Sequence, residues 1–333
     1  MRDLKRSMRF IQGAALVAAL CASSGVVSAQ QGPGGGGAAA QPFAVHQLKP
    51  NIYWVEGGGG NTAIIVGANG VIVVDTKTSA AGGKEFLADI ANITPKPVTT
   101  VFLTHSDGDH VNGLAAFPKG LTIIAQENCK TEMQAAPNAA PGGALADYMP
   151  TRTVTRNMED MTIEGVHLRV FHFAPAHTSG DLMVYLPDDK IMFTGDVVAT
   201  QSPYPLIHLE KNGSSDGWIT SINGILATDA TTFVPGHGDV QMKADLQKRL
   251  ADSIARRDQI KALAAQGKSL DEVRQALNEP PPAARGGGGG GQGGGQGGGG
   301  GAAAAGPGGG AVRPAFPSFQ DFTGVVYAEA TKK

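Results

Sequence analysis

Seven consecutive residues, Thr104-His105-Ser106-Asp107-Gly108-Asp109-His110, constrain this chain more than any other stretch. Two histidines and two aspartates are crowded together directly after the apolar run 98–103. A β-strand that ends in a tight loop presents all four side chains at one edge of a sheet. Imidazole and carboxylate are the ligands of borderline and hard divalent metals, and they are rarely gathered so densely for another purpose.

Four further candidates each close an apolar run. Asp75 ends Val71-Ile72-Val73-Val74, His177 follows Ala174-Pro175-Ala176, Asp196 follows Phe193-Thr194-Gly195, and His237 follows Val234-Pro235-Gly236. Strand ends capped in this way place a site along one rim of a sheet. Asp75 is expected to hydrogen-bond the 104–110 loop and so orient its ligands, rather than to touch metal itself.

In the order and type of these residues the chain resembles the metallo-β-lactamase fold superfamily of hydrolases. That family carries His-x-His-x-Asp-His, then a lone His, a bridging Asp and a last His. The matching residues are His105, Asp109, His110, His177, Asp196 and His237, and the resemblance covers roughly residues 42–280. One position departs from the pattern: Asp107 stands where the family has its second motif histidine.

The resemblance implies an α/β fold, a four-layer αββα sandwich, with two divalent metal ions. His105, Asp107 and His177 would hold the first ion, Asp109, His110 and His237 the second, and Asp196 would bridge them. Zinc is the first choice of metal. Asp107 adds a hard oxygen donor and a negative charge, which keeps Fe or Mn open. Flavodiiron relatives also place an acidic residue there, although nothing like their flavodoxin domain is present. The chemistry implied is hydrolysis by a hydroxide shared between the metals. Asp109 is the catalytic residue, orienting that nucleophile or moving its proton.

The substrate class that follows is an ester, lactone, thioester or amide. β-Lactamase is the first alternative, because known β-lactamases of the superfamily mostly carry Cys or Ser where Asp196 stands. An iron-dependent oxidoreductase on the same scaffold is the second. A non-catalytic metal-binding protein would have no need of so many ligands with a position left open for water.

The chain begins as a secretory signal begins. Arg2, Lys5, Arg6 and Arg9 precede a small, apolar stretch 11–27, and Val27-Ser28-Ala29 offers a cleavage site before Gln30. Gln12, Gly13, Ser23, Ser24 and Gly25 interrupt the run too often for a membrane span. A signal peptide over 1–29 predicts a periplasmic or secreted protein with no membrane attachment after cleavage. Cleavage would leave Cys129 as the lone cysteine, unable to form an intramolecular disulfide and expected in the core. Lys and Arg number 27 against 29 Asp and Glu, a net charge of −2, so nucleic acid and anionic membranes are not indicated partners. A small-molecule substrate is.

Residues 30–41 read as a flexible linker, 42–280 as one domain, 281–312 as a Gly/Ala-rich insert unable to form a core, and 313–333 as a terminal helix packing back on the domain. Within the domain, Gly57 to Gly60 suggest a mobile flap hairpin over the site, and 137–150 a surface loop able to reach it. Residues 240–265 have the spacing of one amphipathic helix, and Ser269-Leu270-Asp271-Glu272 is a capping box for another. His46 and His167 are expected at the surface and His172 in the core. His208 and Tyr204, in the loop after Asp196, are candidates for substrate contact.

Overall fold

The structure, a computed structural model, describes residues 42–135, 144–279 and 321–332. The segments assigned to the signal peptide, the linker and the Gly/Ala-rich insert fall outside the described residues.

Among the described residues, short runs of Val, Ile, Phe and Thr bounded by turn residues form thirteen strands in two sheets. The first sheet takes its strands in chain order: β1 (Ala44–Lys49), β2 (Ile52–Glu56), β3 (Thr62–Val66), β4 (Val71–Val74), β5 (Val98–Phe102), β6 (Thr122–Gln126) and β7 (Arg152–Val154). Pairing is antiparallel from β1 to β4 and parallel from β4 to β7. The second sheet runs, from its last strand back, β13 (Gln241–Met242), β12 (Thr232–His237), β11 (Ile191–Ala199), β10 (Met183–Leu186), β9 (Val166–Phe171) and β8 (Met158–Ile163). All its neighbours are antiparallel except β11 and β12.

Alternation along the strands sorts the apolar side chains into three layers. Ile64, Val71, Val73, Val101 and Ile123 face helix α1 (Ala80–Ile93), the short α2 (Gly108–Val111) and α3 (Glu127–Ala135), meeting Phe86, Ile90, Val111, Cys129 and Met133. Their sequence neighbours Ala63, Ile65, Ile72, Val74, Phe102 and Ile124 point the other way, against Val170, Val184, Leu186, Phe193 and Val234 of the second sheet. On the far face, Met183, Tyr185, Met192 and Phe233 pack under α4 (Ser215–Ala227), α5 (Lys243–Ala265), α6 (Leu270–Ala276) and α7 (Phe322–Thr331). The architecture is αββα. The central strands of both sheets, such as β4, β10 and β11, are covered on both faces, which is why they read as continuous apolar runs.

Local signals hold at most helix ends. Ser79 and Ser214 cap α1 and α4 through their side chains, and Ser269 with Glu272 forms the capping box of α6. Three expectations need correction. The 240–265 stretch opens with β13 before α5, because Gln241 and Met242 pair with β12. Residues 144–148 of the expected 137–150 loop are a 3-10 turn packed on the core, with Leu145 and Tyr148 buried and the Tyr148 hydroxyl donating to Phe117 O at 2.8 Å, while residues 137–143 lie outside the described residues. The terminal helix is Phe322–Thr331, capped by Asp321; it buries Phe322, Val325 and Val326 and leaves Ala330 exposed, and residues 313–320 lie outside the described residues. The helix is held by Arg274 to Asp321 (2.8 Å) and by Ser215 N–H to Glu329 (2.8 Å).

Candidate metal centre

The centre lies where the rims of the two sheets meet. β4 and β5 are parallel neighbours, so Asp75 and the 104–110 loop leave the first sheet at the same edge. β11 and β12 are the parallel pair of the second sheet and bring Asp196 and His237. His177 arrives on the loop between β9 and β10. Asn61 ties the two sheets together here, its side-chain amide donating to Pro235 O and Gly238 O at 2.9 Å each.

Backbone conformation decides how closely these parts approach. Asp75 sits at φ 59°, a left-handed conformation that costs most residues energy and that Asp tolerates better than most. The turn aims its carboxylate under the metal loop. Thr104 N–H donates to Asp75 Oδ1 (2.8 Å), and Thr104 Oγ1 and His110 Nδ1 both donate to Oδ2 (2.7 and 2.8 Å). The outer role expected of Asp75 is what its hydrogen bonds describe. Gly60 shows why the glycine run is needed: a Cβ there would lie 2.2 Å from the His110 ring. The run is pinned rather than free, with Gly60 N–H donating to Asp109 O at 3.1 Å and Thr78 N–H to Gly58 O at 3.0 Å. This corrects the expected mobile flap.

Side chains from distant segments converge. Asp107 Oδ2 lies 3.1 Å from His177 Nε2 and 3.6 Å from His105 Nε2. Asp109 Oδ2 lies 3.0 Å from His237 Nε2, and His110 Nε2 is 3.3 Å from His237 Nε2. Asp196 sits between the two groups, one oxygen 3.4 Å from His110 Nε2 and the other 3.8 Å from His177 Nε2 and 3.5 Å from His237 Nε2. Three triads have donor atoms within 4.8 Å of one another: His105, Asp107, His177; His105, His110, Asp196; and Asp109, His110, His237. His105, His110 and His177 are fully buried, whereas the Asp109 side chain is a third exposed.

The far nitrogen of each buried ring is held in the same way. His110 Nδ1 gives its proton to Asp75 and His177 Nδ1 to Leu206 O at 2.8 Å. His105 Nδ1 lies 3.0 Å from Thr104 Oγ1, whose own proton is already given to Asp75, so the ring is the donor. In its neutral form each ring therefore presents an Nε2 lone pair inward, the tautomer that metal-binding histidines have when an outer partner takes Nδ1–H.

With no cation among them, the carboxylates draw protons onto two of these rings instead. Burial works against the charge of His177, but Asp107 and Asp196 outweigh it and raise its pKa to about 9. His110 is likewise raised well above the usual imidazole range by Asp196 and Asp75, against burial. Burial also opposes ionisation of Asp196 and Asp107, yet the surrounding imidazoles hold both well below the usual carboxylate range. Such a cluster calls for positive charge at its centre. His105 Nε2 and Asp196 Oδ1 are buried and have no hydrogen-bond partner among the described residues. Buried polar atoms are normally paired. Nitrogen and carboxylate donors so arranged fit a pair of divalent cations.

The remaining predicted residues divide. His208 joins the cluster, with Nε2 3.0 Å from Asp107 Oδ2. Tyr204 does not; its ring stacks on Phe322 at 5.5 Å with Arg256 over it, so apolar packing rather than substrate claims it. His172 donates to Asp181 O at 2.8 Å, His46 stacks on Trp54, and His167 lies beside Asp160 on the exposed face of β8 and β9. Cys129 is buried.

Four supporting residues escaped the sequence argument. Asp181 folds the His177 loop by accepting from the N–H groups of Ala176, His177 and Thr178 and from Thr178 Oγ1. Thr178-Ser179-Gly180-Asp181 has turn composition, and that was the available signal. Glu132 accepts from Ser106 Oγ (2.5 Å) and Ser179 Oγ (2.7 Å). Lys211 pairs with Asp107 Oδ1, and Glu210 with His208 Nδ1. Nothing local marks these last three.

A sequence model of the metallo-beta-lactamase superfamily matches residues 55–237. The chain is 26% identical over 208 residues to the 2,4-dinitroanisole O-demethylase subunit alpha of Nocardioides sp. (strain JS1661), covering 62% of this chain and 61% of that one. It is 27% identical over 218 residues to the linear primary-alkylsulfatase of Pseudomonas sp. (strain ATCC 19151), covering 53% and 40%. The chain thus spans less than two thirds of the length of these relatives. Its fold is similar to that of the stereoselective inverting sec-alkylsulfatase Pisa1 from Pseudomonas sp., with a TM-score of 0.60 at 19% identity over 72% of this chain and 46% of that one. With the family pattern running through more than half its length, the chain belongs to the metallo-β-lactamase superfamily.

Proposed function

We propose that this chain is a metal-dependent hydrolase of small-molecule substrates with a scissile ester-type bond. One observation carries the proposal: four imidazoles and three carboxylates from separate segments turn their donor atoms into one buried volume, with the far nitrogens of His105, His110 and His177 held from outside. His105, Asp107 and His177 would hold one cation, Asp109, His110 and His237 a second, and Asp196 both. When bound, such cations lower the pKa of water and neutralise negative charge building on a substrate oxygen.

The chain's own residues do the rest. Asp109 is kept ionised by His237 and His110 despite burial, and its side chain reaches solvent. It accepts a hydrogen bond from the attacking water and orients it toward the substrate. Asp75 and Thr104 hold His110 and His105 from behind, so the imidazoles need no rearrangement during reaction.

Relatives that are named an alkylsulfatase and an O-demethylase widen the ester class to sulfate esters and aryl ethers. A panel of alkyl sulfates, aryl esters, lactones, thioesters and nitrocefin tests the proposal alongside elemental analysis. Turnover of at least one should vanish on chelation and return with Zn(II). Two equivalents of bound metal with no hydrolysis anywhere in the panel would refute it. An iron-dependent oxidoreductase is the second reading, favoured by the carboxylate at Asp107, and bound iron with substrate-dependent oxygen uptake would select it.

Export follows from the basic and apolar start of the chain. No helix among the described residues is long and apolar enough to cross a membrane. Amino-terminal sequencing of protein from cell fractions should find a mature chain in the periplasm or medium beginning at Gln30.

A further inference from the structure

We propose that His208 is a ligand of the cation held by His105 and His177, supplying the imidazole that the motif lacks at Asp107. The proposal rests on the metal centre described above and assigns it one more residue.

The geometry around Asp107 is the ground for it. Its Oδ2 faces three ring nitrogens, His208 Nε2 at 3.0 Å, His177 Nε2 at 3.1 Å and His105 Nε2 at 3.6 Å. The His177 ring meets both other rings edge-on, with centroids 4.7 Å from His105 and 4.8 Å from His208. The other carboxylate oxygen is taken, since Oδ1 pairs with Lys211 Nζ, which also donates to Ser106 Oγ at 2.8 Å. One oxygen is thus anchored from outside while the other is left among three imidazoles.

His208 has the same two-sided arrangement as the other candidate ligands. Its Nδ1 meets the Glu210 carboxylate, which can only accept, so in the neutral ring Nδ1 carries the proton and Nε2 the lone pair. A carboxylate behind an imidazole is the outer partner that commonly fixes a metal-binding histidine. Three ring nitrogens can face one carboxylate oxygen at these distances only with protons or a cation between them. A divalent cation serves all four donors at once.

The backbone commits the residue to this place. His208 N–H donates to His177 O at 2.8 Å, and His208 O accepts from Lys211 N–H (3.1 Å) and Gly213 N–H (2.9 Å). The loop after β11 is therefore stitched to the His177 loop, and His208 is 7% exposed, too buried to line an open substrate cleft. Lys211 offsets the charge that Asp107 brings, so the donor set is three imidazoles, the shielded Asp107 and the shared Asp196. That set lies closer to the ordinary preference of zinc than the substitution at Asp107 alone suggests.

The full-length wild type, His208→Gln, Glu210→Gln and His237→Gln are each loaded with Zn(II) or Co(II), dialysed, and compared by elemental analysis, chelator competition and the Co(II) visible spectrum. His208→Gln should keep one cation and lose the other, its affinity falling more than about 100-fold, beyond the roughly 10–100-fold loss expected for Glu210→Gln as an outer partner. His237→Gln should empty the opposite half. Circular dichroism checks that each variant is folded. Should His208→Gln not fold, proton NMR of Co(II)-loaded wild type counts the shifted imidazole N–H resonances, one more than His105, His110, His177 and His237 provide. Wild-type stoichiometry and spectrum in folded His208→Gln, or no extra resonance, overturns the assignment of His208 and leaves the two-metal centre standing. A wild type that takes up no cation overturns both.

Discussion

The two halves of the cluster are built from similar ligands and held in different ways. Around Asp107 everything is tied down: Lys211, Ser106, Glu132 and Ser179 form one continuous chain of polar contacts, and the loop bearing His177 is folded around Asp181. Around Asp109 the support comes from one side only, through Asp75 beneath His110 and the glycine run beside it, while Asp109 itself meets solvent. The comparison teaches a division of labour. A half fixed on all sides is suited to holding charge in place, and a half with one solvent-facing carboxylate is the side open to water.

The largest effect should come from the residue both halves share. Asp196→Ala removes a carboxylate facing His110, His177 and His237. Metal content should collapse in both halves and turnover fall more than about 10³-fold, with the fold retained by circular dichroism. Unchanged metal content would break the idea that Asp196 joins the halves.

Asp75→Asn sharpens the contrast, because Asp75 accepts from His110 directly. The cation of the Asp109 half should bind roughly 10–100-fold more weakly in chelator competition, with the Asp107 half affected less. Equal weakening of both would mean that Thr104, through His105, couples them.

Asp181→Asn probes the tied half through stability. Asp181 is buried and its side-chain oxygens accept several hydrogen bonds. Denaturant titration should show a loss of about 2 kcal/mol, the scale of a hydrogen bond to a charged group.

The smallest expected effect concerns Lys77, which lies under the glycine run of the open half. Its Nζ donates to Val55 O (2.7 Å) and Gly60 O (3.2 Å), and burial pushes its pKa down to about 7 against the pull of Asp89 and Asp75. The folded pKa lies below the unfolded one, so between them the unfolded chain holds more protons and stability rises with pH. The gain between pH 7 and 8 should be about 1 kcal/mol, and Lys77→Met should abolish it. A slope unchanged in that variant would show that another group titrates.

Much of the candidate site was legible because residues able to bind metal stand out among apolar runs. His105, Asp109, His110, His177, Asp196 and His237 are polar residues at the ends of apolar runs, where packing alone would have placed none of them. The layered fold was legible for a related reason: strands buried on both faces, as β4 and β10 are, leave continuous apolar runs. Tyr204 misled because nearness in sequence to Asp196 says nothing about which way a loop turns, and the Phe322 ring against which it packs comes from the far end of the chain. The glycine run misled because its composition suits a free hairpin as well as a backbone pressed against His110.

Sequence by itself determined the donor types, their order along the chain and the two-faced burial of the strands, since each is written in residue identity and local period. Tertiary structure alone decided which donors stand close enough to share a cation. Lys211 on Asp107 and His208 opposite His177 are pairings across the fold, and no local preference of either residue encodes them. A ligand set is a set of distances, and distances between remote segments exist only once the two sheets have closed on each other.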